Sequence, residues 1–261
     1  MNAAGLARRV VRSAVARLQA GLRDVSGYHW VPDHHGRSAH KQVDIRTLPG
    51  FGELAAKVIQ DGRSQLYYDR LYVLYQALAH VRQLADRRRS HIDLGEIGVF
   101  QGGTSWFLAS AAKALGLEGV SLHCFDTFEG HDPRDIQPAV DTVQRPGLFG
   151  ETSLGSVRAY LREFENVTCY AGRFQETCEL VKSRAFHFAH LDMDIFEPTR
   201  FALDFFDERL VVGGAMVVDD YGFTSCVGVR RAVDEFVASG KPYFAIELPT
   251  GQYLLTKHTT E

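Results

Sequence analysis

The chain has no marked excess of either charge. Its 261 residues carry 29 Lys plus Arg against 32 Asp plus Glu, a formal net charge of −3. A general nucleic-acid binder shows a strong basic excess, so that class is set aside. Cysteine is sparse, with Cys124, Cys169, Cys178 and Cys226 making up all four. None forms a C-x-x-C pair and none has a histidine at zinc-ligand spacing, which argues against a disulfide framework or a structural zinc. Cys124 and Cys169 sit in apolar, strand-like runs and read as buried thiols in a reducing cytoplasm. No apolar run reaches the length of a membrane-spanning helix, so stable membrane insertion is not expected. Arg12 and Arg17 interrupt any apolar stretch of a signal peptide. There is no internal repeat and no low-complexity linker.

The hydrophobic fraction of 45% and charged fraction of 23% are those of a folded domain. The charge is unevenly spread. Residues 1–23 hold Arg8, Arg9, Arg12, Arg17 and Arg23 and no acid, leaving 24 bases against 32 acids, a net of −8, in the remainder. The first segment reads as a basic helix with Leu6, Val10, Val11, Ala14, Val15 and Leu18 on one face. Packing on its own domain or on a second subunit is favoured over weak attachment to an anionic membrane. Residues 24–62 read as irregular. The simplest organisation is an extension over 1–65 and one domain over 66–261.

From residue 66 the pattern is helical, with Leu71, Leu74, Leu78, Val81 and Leu84 on one face. Strand-like and helix-like runs then alternate. The strands are His91–Glu96, Val120–Phe125, Val167–Tyr170, Phe186–Leu191 and Val211–Val218. The helices lie near 103–115, 153–164, 174–184, 198–209 and 225–239. This alternation predicts an α/β fold with a mostly parallel sheet covered on both faces. Tyr243–Leu248 and Gln252–Thr256, joined by Pro249-Thr250-Gly251, read as an antiparallel hairpin.

The first strand runs into Glu96-Ile97-Gly98-Val99-Phe100-Gln101-Gly102-Gly103-Thr104-Ser105. Glycines at a strand–helix junction let the backbone approach a ligand. The dinucleotide pattern G-x-G-x-x-G and the lysine of a phosphate-binding loop are both missing. Glu96 favours a positive group, such as the ammonium and sulfonium of S-adenosylmethionine (SAM). Asp126, at the end of the second strand, suits a ribose diol in either SAM or NAD. Phe174, after Gly172, reads equally well as an adenine contact or as core.

Residues 186–220 hold eight acids and two bases. Asp192 and Asp194 end one apolar strand, and Asp219 and Asp220 end the next. Acids so placed converge at the C-terminal edge of the sheet, where doubly wound folds bind ligands. Such a group repels itself unless a cation joins it. Oxygen donors alone suit Mg²⁺, Mn²⁺ or Ca²⁺. Helix capping explains one acid per strand end but not two.

The stretch Leu191-Asp192-Met193-Asp194-Ile195-Phe196-Glu197-Pro198-Thr199 resembles the L-D-x-D-x-[YF]-E-x-T signature of macrocin O-methyltransferase-like enzymes. Val218-Asp219-Asp220-Tyr221-Gly222, the run Cys226–Phe236, the glycine loop and Asp126-Thr127-Phe128-Glu129-Gly130 match in order, over about 66–256. The resemblance implies a class I methyltransferase: a Rossmann-like, doubly wound, mostly parallel seven-stranded sheet with a C-terminal antiparallel hairpin. It implies SAM and Mg²⁺ (or Mn²⁺) as cofactors and a homodimer in the cytoplasm. Asp192, Asp219 and Asp220 would hold the metal. Asp194 would be the general base, with Asp192 beside it in the catalytic set. SAM would be held by Glu96, Gly98, Gly102, Thr104, Ser105, Asp126, Thr127, Gly172, Phe174 and Asp192. The chain departs from the family at Leu66-Tyr67-Tyr68 and over 131–152, regions that shape the acceptor pocket.

The expected reaction is methyl transfer to a hydroxyl of a sugar, glycoside or polysaccharide precursor. A phenol or catechol acceptor is the alternative, and an NAD-dependent oxidoreductase a weaker one. His131–Thr152 reads as a mobile loop over the site, and His131 and His190 read either as acceptor contacts or as structural histidines, the commoner role of a lone histidine near a site.

Overall fold

The computed structural model describes residues 43–88 and 91–259. The basic helix expected near the N-terminus lies outside the described residues. The chain divides into Met1–Asp44 and a larger unit, Ile45–Glu261, which carries the site.

Seven strands form one sheet: β1 (Ile92–Ile97), β2 (Val120–Asp126), β3 (Val167–Ala171), β4 (Phe186–Leu191), β5 (Leu210–Val218), β6 (Tyr243–Glu247) and β7 (Tyr253–Lys257). Their order is β3-β2-β1-β4-β5-β7-β6. Strands β1 to β5 pair in parallel, and β7 runs antiparallel to both β5 and β6. The expected sheet and hairpin are therefore what the chain forms. The apolar run that becomes β4 is buried throughout and that of β5 from Gly214 onward, as strands covered on both faces must be.

Helices α1 (Gly52–Asp61), α2 (Tyr68–Arg88), α3 (Gly103–Ala114) and α4 (Leu154–Tyr160) belong to one face. Helices α5 (Phe174–Thr177), α6 (Phe196–Arg209) and α7 (Val227–Ala238) belong to the other. Phe51, Phe107 and Leu78 are fully buried on the first side, and Phe125, Phe186 and Phe206 on the second. Each such side chain contributes about 1.5–3 kcal/mol.

Helix α1 falls in a stretch that reads as irregular. Its signal is short: Ala55 and Val58 bury one face, Phe51 packs at its start, and Gly62 closes it at φ 65°. Residues 45–65, expected in the extension, thus pack into the main unit. The helix expected over 174–184 is cut short. It is α5 followed by a 3₁₀ turn, Cys178–Val181, in which Leu180 is 70% exposed. No helix among the described residues is long and apolar enough to cross a membrane.

The strand order reverses between β1 and β4, which opens a crevice at the C-terminal edge. Hydrogen bonds carry the ladder past the strand ends there. Gly98 N donates to Phe125 O at 2.9 Å, Asp192 N to Ile97 O at 2.9 Å, and Asp219 N to Leu191 O at 2.8 Å. That staircase sets Gly98, Asp192 and Asp219 in neighbouring positions.

Candidate active site

A cavity of about 400 Å³ opens along this edge. Gly98, Val99, Phe100 and Thr104 form one wall, with Asp126, Thr127, Gly172 and Phe174 beyond them. Asp192, Asp194 and Asp220 border the other end. Gly98 has φ 88°, and a Cβ there would collide with the Asp192 carbonyl. No other residue lets the loop lie so close to β4. At Gly103 a Cβ would meet the Arg63 carbonyl, 2.7 Å away, and Gly103 N donates to that oxygen at 3.1 Å. Arg63-Ser64 thereby closes over the start of α3, and Ser64 Oγ bonds Thr104 Oγ1 at 2.8 Å.

Asp126 clamps the glycine loop. Its Oδ2 accepts from Val99 N at 2.7 Å and Phe100 N at 2.8 Å, and its Oδ1 from Phe128 N at 2.6 Å. Burial raises its carboxyl above the ordinary range, and these three donors only partly offset that. Phe174 both borders the cavity and sits in the core, stacked on Phe206 at 5.9 Å.

Three of the expected cofactor residues lie behind the wall. Glu96 and Ser105 are fully buried and bonded to each other. Gly102 faces Val157 on α4. Side chains alternate along β1, so Glu96 shares a face with Leu94, beneath α3, while Ile97 faces the opposite core. Glu96 Oε1 has no hydrogen-bond partner and lies 3.7 Å from His190 Nδ1.

The four acids meet as the two strand ends predict. His190, Asp192 and Asp219 each offer an atom within 4.8 Å of the others, and so do Asp194, Asp220 and Cys226. The expected metal trio of Asp192, Asp219 and Asp220 is thus shared between two adjoining groups. Asp194 and Asp220 have φ of 63° and 62°, a left-handed conformation that aspartate tolerates better than most residues. Burial and then the neighbouring carboxylates push Asp192, Asp194 and Asp220 above the ordinary range. Asp219 goes the other way: burial opposes its charge, but His190 and Arg70 prevail and lower it. Burial opposes charge on His190 too, yet Asp219 and Glu96 raise it to about 9. Burial, then Asp220 and Asp194, push the Cys226 thiol far up, which disfavours its thiolate. The four aspartates of these groups fit a hard divalent cation, because mutual repulsion among buried oxygens is what such an ion relieves, whereas the Cys226 sulfur does not suit one.

Sequence reasoning missed Arg70, in the first turn of α2. Its Nη1 donates to Asp219 Oδ1 at 3.1 Å and Asp220 Oδ1 at 3.2 Å. Nothing near Arg70 in the sequence signals partners 149 and 150 residues away.

The segment 131–152 is a wall tied down at several points. His131 N donates to Leu148 O and Gly147 N to His131 O, both at 3.0 Å. Asp141, 2% exposed, accepts from Gln137 N at 2.8 Å and from Phe196 N, the start of α6, at 3.0 Å. Arg173 pairs with Asp135, and Gln101 Nε2 donates to Glu151 O at 2.7 Å. His131 borders the cavity with an unpartnered Nε2, 4.0 Å from Asp194 Oδ2. Burial lowers its pKa, so the ring is neutral at pH 7.

A seven-stranded sheet of this order, with a glycine loop after β1 and acids after β4 and β5, is a class I methyltransferase fold. The profile of the macrocin O-methyltransferase (TylF) family matches residues 68–243, and the chain belongs to that family. It is 28% identical over 153 residues to the 8-demethyl-8-(2,3-dimethoxy-alpha-L-rhamnosyl)-tetracenomycin-C 4'-O-methyltransferase of Streptomyces olivaceus. That match takes in 55% of this chain and 57% of the relative, so the chain spans little over half of it. Two solved structures share the fold. The O-methyltransferase NovP has TM-score 0.65 and 22% identity, with 76% of this chain and 83% of NovP covered. The calicheamicin methyltransferase CalS11 has TM-score 0.56 and 18% identity, with 84% of this chain and 99% of CalS11 covered.

Proposed function

We propose that this protein transfers a methyl group from SAM to a hydroxyl of a sugar, with a divalent cation at the acidic cluster. The observation that carries the reading is the meeting of four aspartates with the glycine-loop cavity at one sheet edge. SAM supplies an electrophilic methyl carbon, and a divalent cation supplies a Lewis acid that lowers the pKa of a neighbouring hydroxyl.

The chain's own residues do the rest. Gly98, Thr104, Thr127, Gly172 and Phe174 enclose the cofactor. Asp126 has lone pairs left for a ribose diol after accepting three backbone bonds. Asp192, Asp219 and Asp220 hold the cation, with Asp219 one layer back at 1% exposure. Asp194 Oδ2 takes the hydroxyl proton. Burial and then the neighbouring carboxylates raise its proton affinity, which favours proton uptake. His131 stands opposite, on the acceptor side. Glu96 acts from behind the wall, through Ser105 and His190.

The saccharide preference leans on the tetracenomycin relative, whose name places its methyl group on a rhamnosyl 4' oxygen. The test is a panel of glycosides and phenols incubated with labelled SAM and Mg²⁺, read by mass. One added methyl on a sugar oxygen is expected. Transfer confined to phenols, or to no acceptor in the panel, contradicts the proposal.

A further inference from the structure

Asp219 has a nitrogen-bearing side chain against each carboxylate oxygen. Oδ1 accepts from Arg70 Nη1 at 3.1 Å, and Oδ2 faces His190 Nε2 at 3.4 Å. The same arginine nitrogen reaches Asp220 Oδ1 at 3.2 Å. The guanidinium is held at its other end too. Nη2 donates to the Gln65 carbonyl at 2.8 Å, and Cζ lies 5.3 Å from the centre of the Phe223 ring. The Arg70 side chain is 14% exposed, so this is a built contact and not a loose surface pair.

Two of the carboxylates proposed to hold a divalent cation are therefore already engaged by a fixed positive charge. We propose that Arg70 is the resident cation of the acidic cluster and competes with a divalent cation for Asp219 and Asp220. The inference rests on the cation-dependent reading above. Its physical basis is simple. Ligand oxygens shared by two cations bring those cations within a few ångströms of each other, and their repulsion is large in a site shielded from solvent. A divalent ion thus gains the carboxylates only as the guanidinium yields some of them. Arg70 also keeps the acids compensated when no ion is bound. Because Nη2 is tied to Gln65, which borders the cavity, a shift of Arg70 pulls on the cavity wall.

The test is calorimetric titration of Mn²⁺ into the full chain, without SAM or acceptor, for the parent, Arg70→Met and Arg70→Lys. Thermal unfolding is followed with and without Mn²⁺. Arg70→Met is expected to bind Mn²⁺ at least tenfold more tightly than the parent. Its metal-free form is expected to unfold at a lower temperature, with the deficit closing as Mn²⁺ is added. Arg70→Lys keeps the charge on a shorter single donor and is expected to fall between the two. It supplies the comparison if the Met variant does not fold: tighter binding than the parent supports competition. Binding only by the variants supports it as well. Equal or weaker binding in the variants overturns it and makes Arg70 a holder of the acids, leaving the cation reading intact. No binding by the parent or by any variant that folds overturns both.

Discussion

Asp194→Asn removes a charge while keeping shape, and asparagine tolerates the left-handed φ of 63° found there. Two consequences follow, of opposite sign. The first is catalytic. A positioned base contributes about 10²–10⁴-fold, so transfer should fall by that factor, about 3–5 kcal/mol of barrier. SAM affinity, measured by calorimetry, should stay within about twofold of the parent, a shift of under ~0.5 kcal/mol. The second is structural. Asp194 and Asp220 offer oxygens within 4.8 Å of each other. Two full charges at that separation repel by about 3 kcal/mol at an effective dielectric constant of ~20. Burial and the neighbouring acids hold Asp194 above the ordinary carboxylate range, the direction that eases this repulsion. A gain of about 1 kcal/mol in metal-free stability remains, or about 2–4 °C in Tm for a domain of this size. Excess Mn²⁺ should erase the advantage, because it offsets the repulsion in the parent. A variant that transfers methyl within tenfold of the parent, or one that loses SAM binding, refutes the assignment of Asp194. A variant with lower metal-free Tm refutes the reading of the acids as mutually repelling.

Other expectations concern the scaffold. Asp93, 8% exposed at its side chain, accepts from His123 Nε2 at 2.9 Å. Burial opposes its charge, but His123, His91 and Arg184 outweigh that and lower its pKa. A carboxyl lowered in the folded state contributes stability above its unfolded pKa of about 4 and loses it as pH falls through the folded value. Asp93→Asn should therefore cost about 1 kcal/mol at pH 7, with the gap narrowing below about pH 4. A gap independent of pH in denaturant melts contradicts this. Asp141→Ala leaves the Gln137 and Phe196 amides without their acceptor and should cost about 1–3 kcal/mol. It should raise the acceptor KM more than the SAM Kd, and the reverse order would detach segment 131–152 from the acceptor side.

The sheet is legible in the sequence because its strands are short apolar runs with acids or glycines at their ends. Asp192 with Asp194, and Asp219 with Asp220, are legible for the same reason, since each pair directly follows an apolar strand. What fails is what depends on orientation or on distant partners. Glu96 sits at a strand end like Asp126, yet it faces the buried side under Ser105. Only the direction in which β1 presents its alternate side chains decides that. Arg70 looks like one more charge on an amphipathic helix, and its role exists only once α2 packs along β5 and sets its first turn beside the strand's C-terminal end. Helix α1 is missed because it buries few residues and stands beside glycine and proline. The segment 131–152 looks loose in composition, while the bonds of Asp141 and Asp135 that fix it join residues far apart in the chain.

The central claim is that methyl transfer depends on a divalent cation at the four aspartates. The most direct measurement is single-turnover transfer from labelled SAM to a glycoside acceptor, in excess EDTA and again after Mg²⁺ is restored. Loss of transfer in EDTA with SAM still bound, and recovery with Mg²⁺, is the predicted result. Undiminished transfer in EDTA would contradict it.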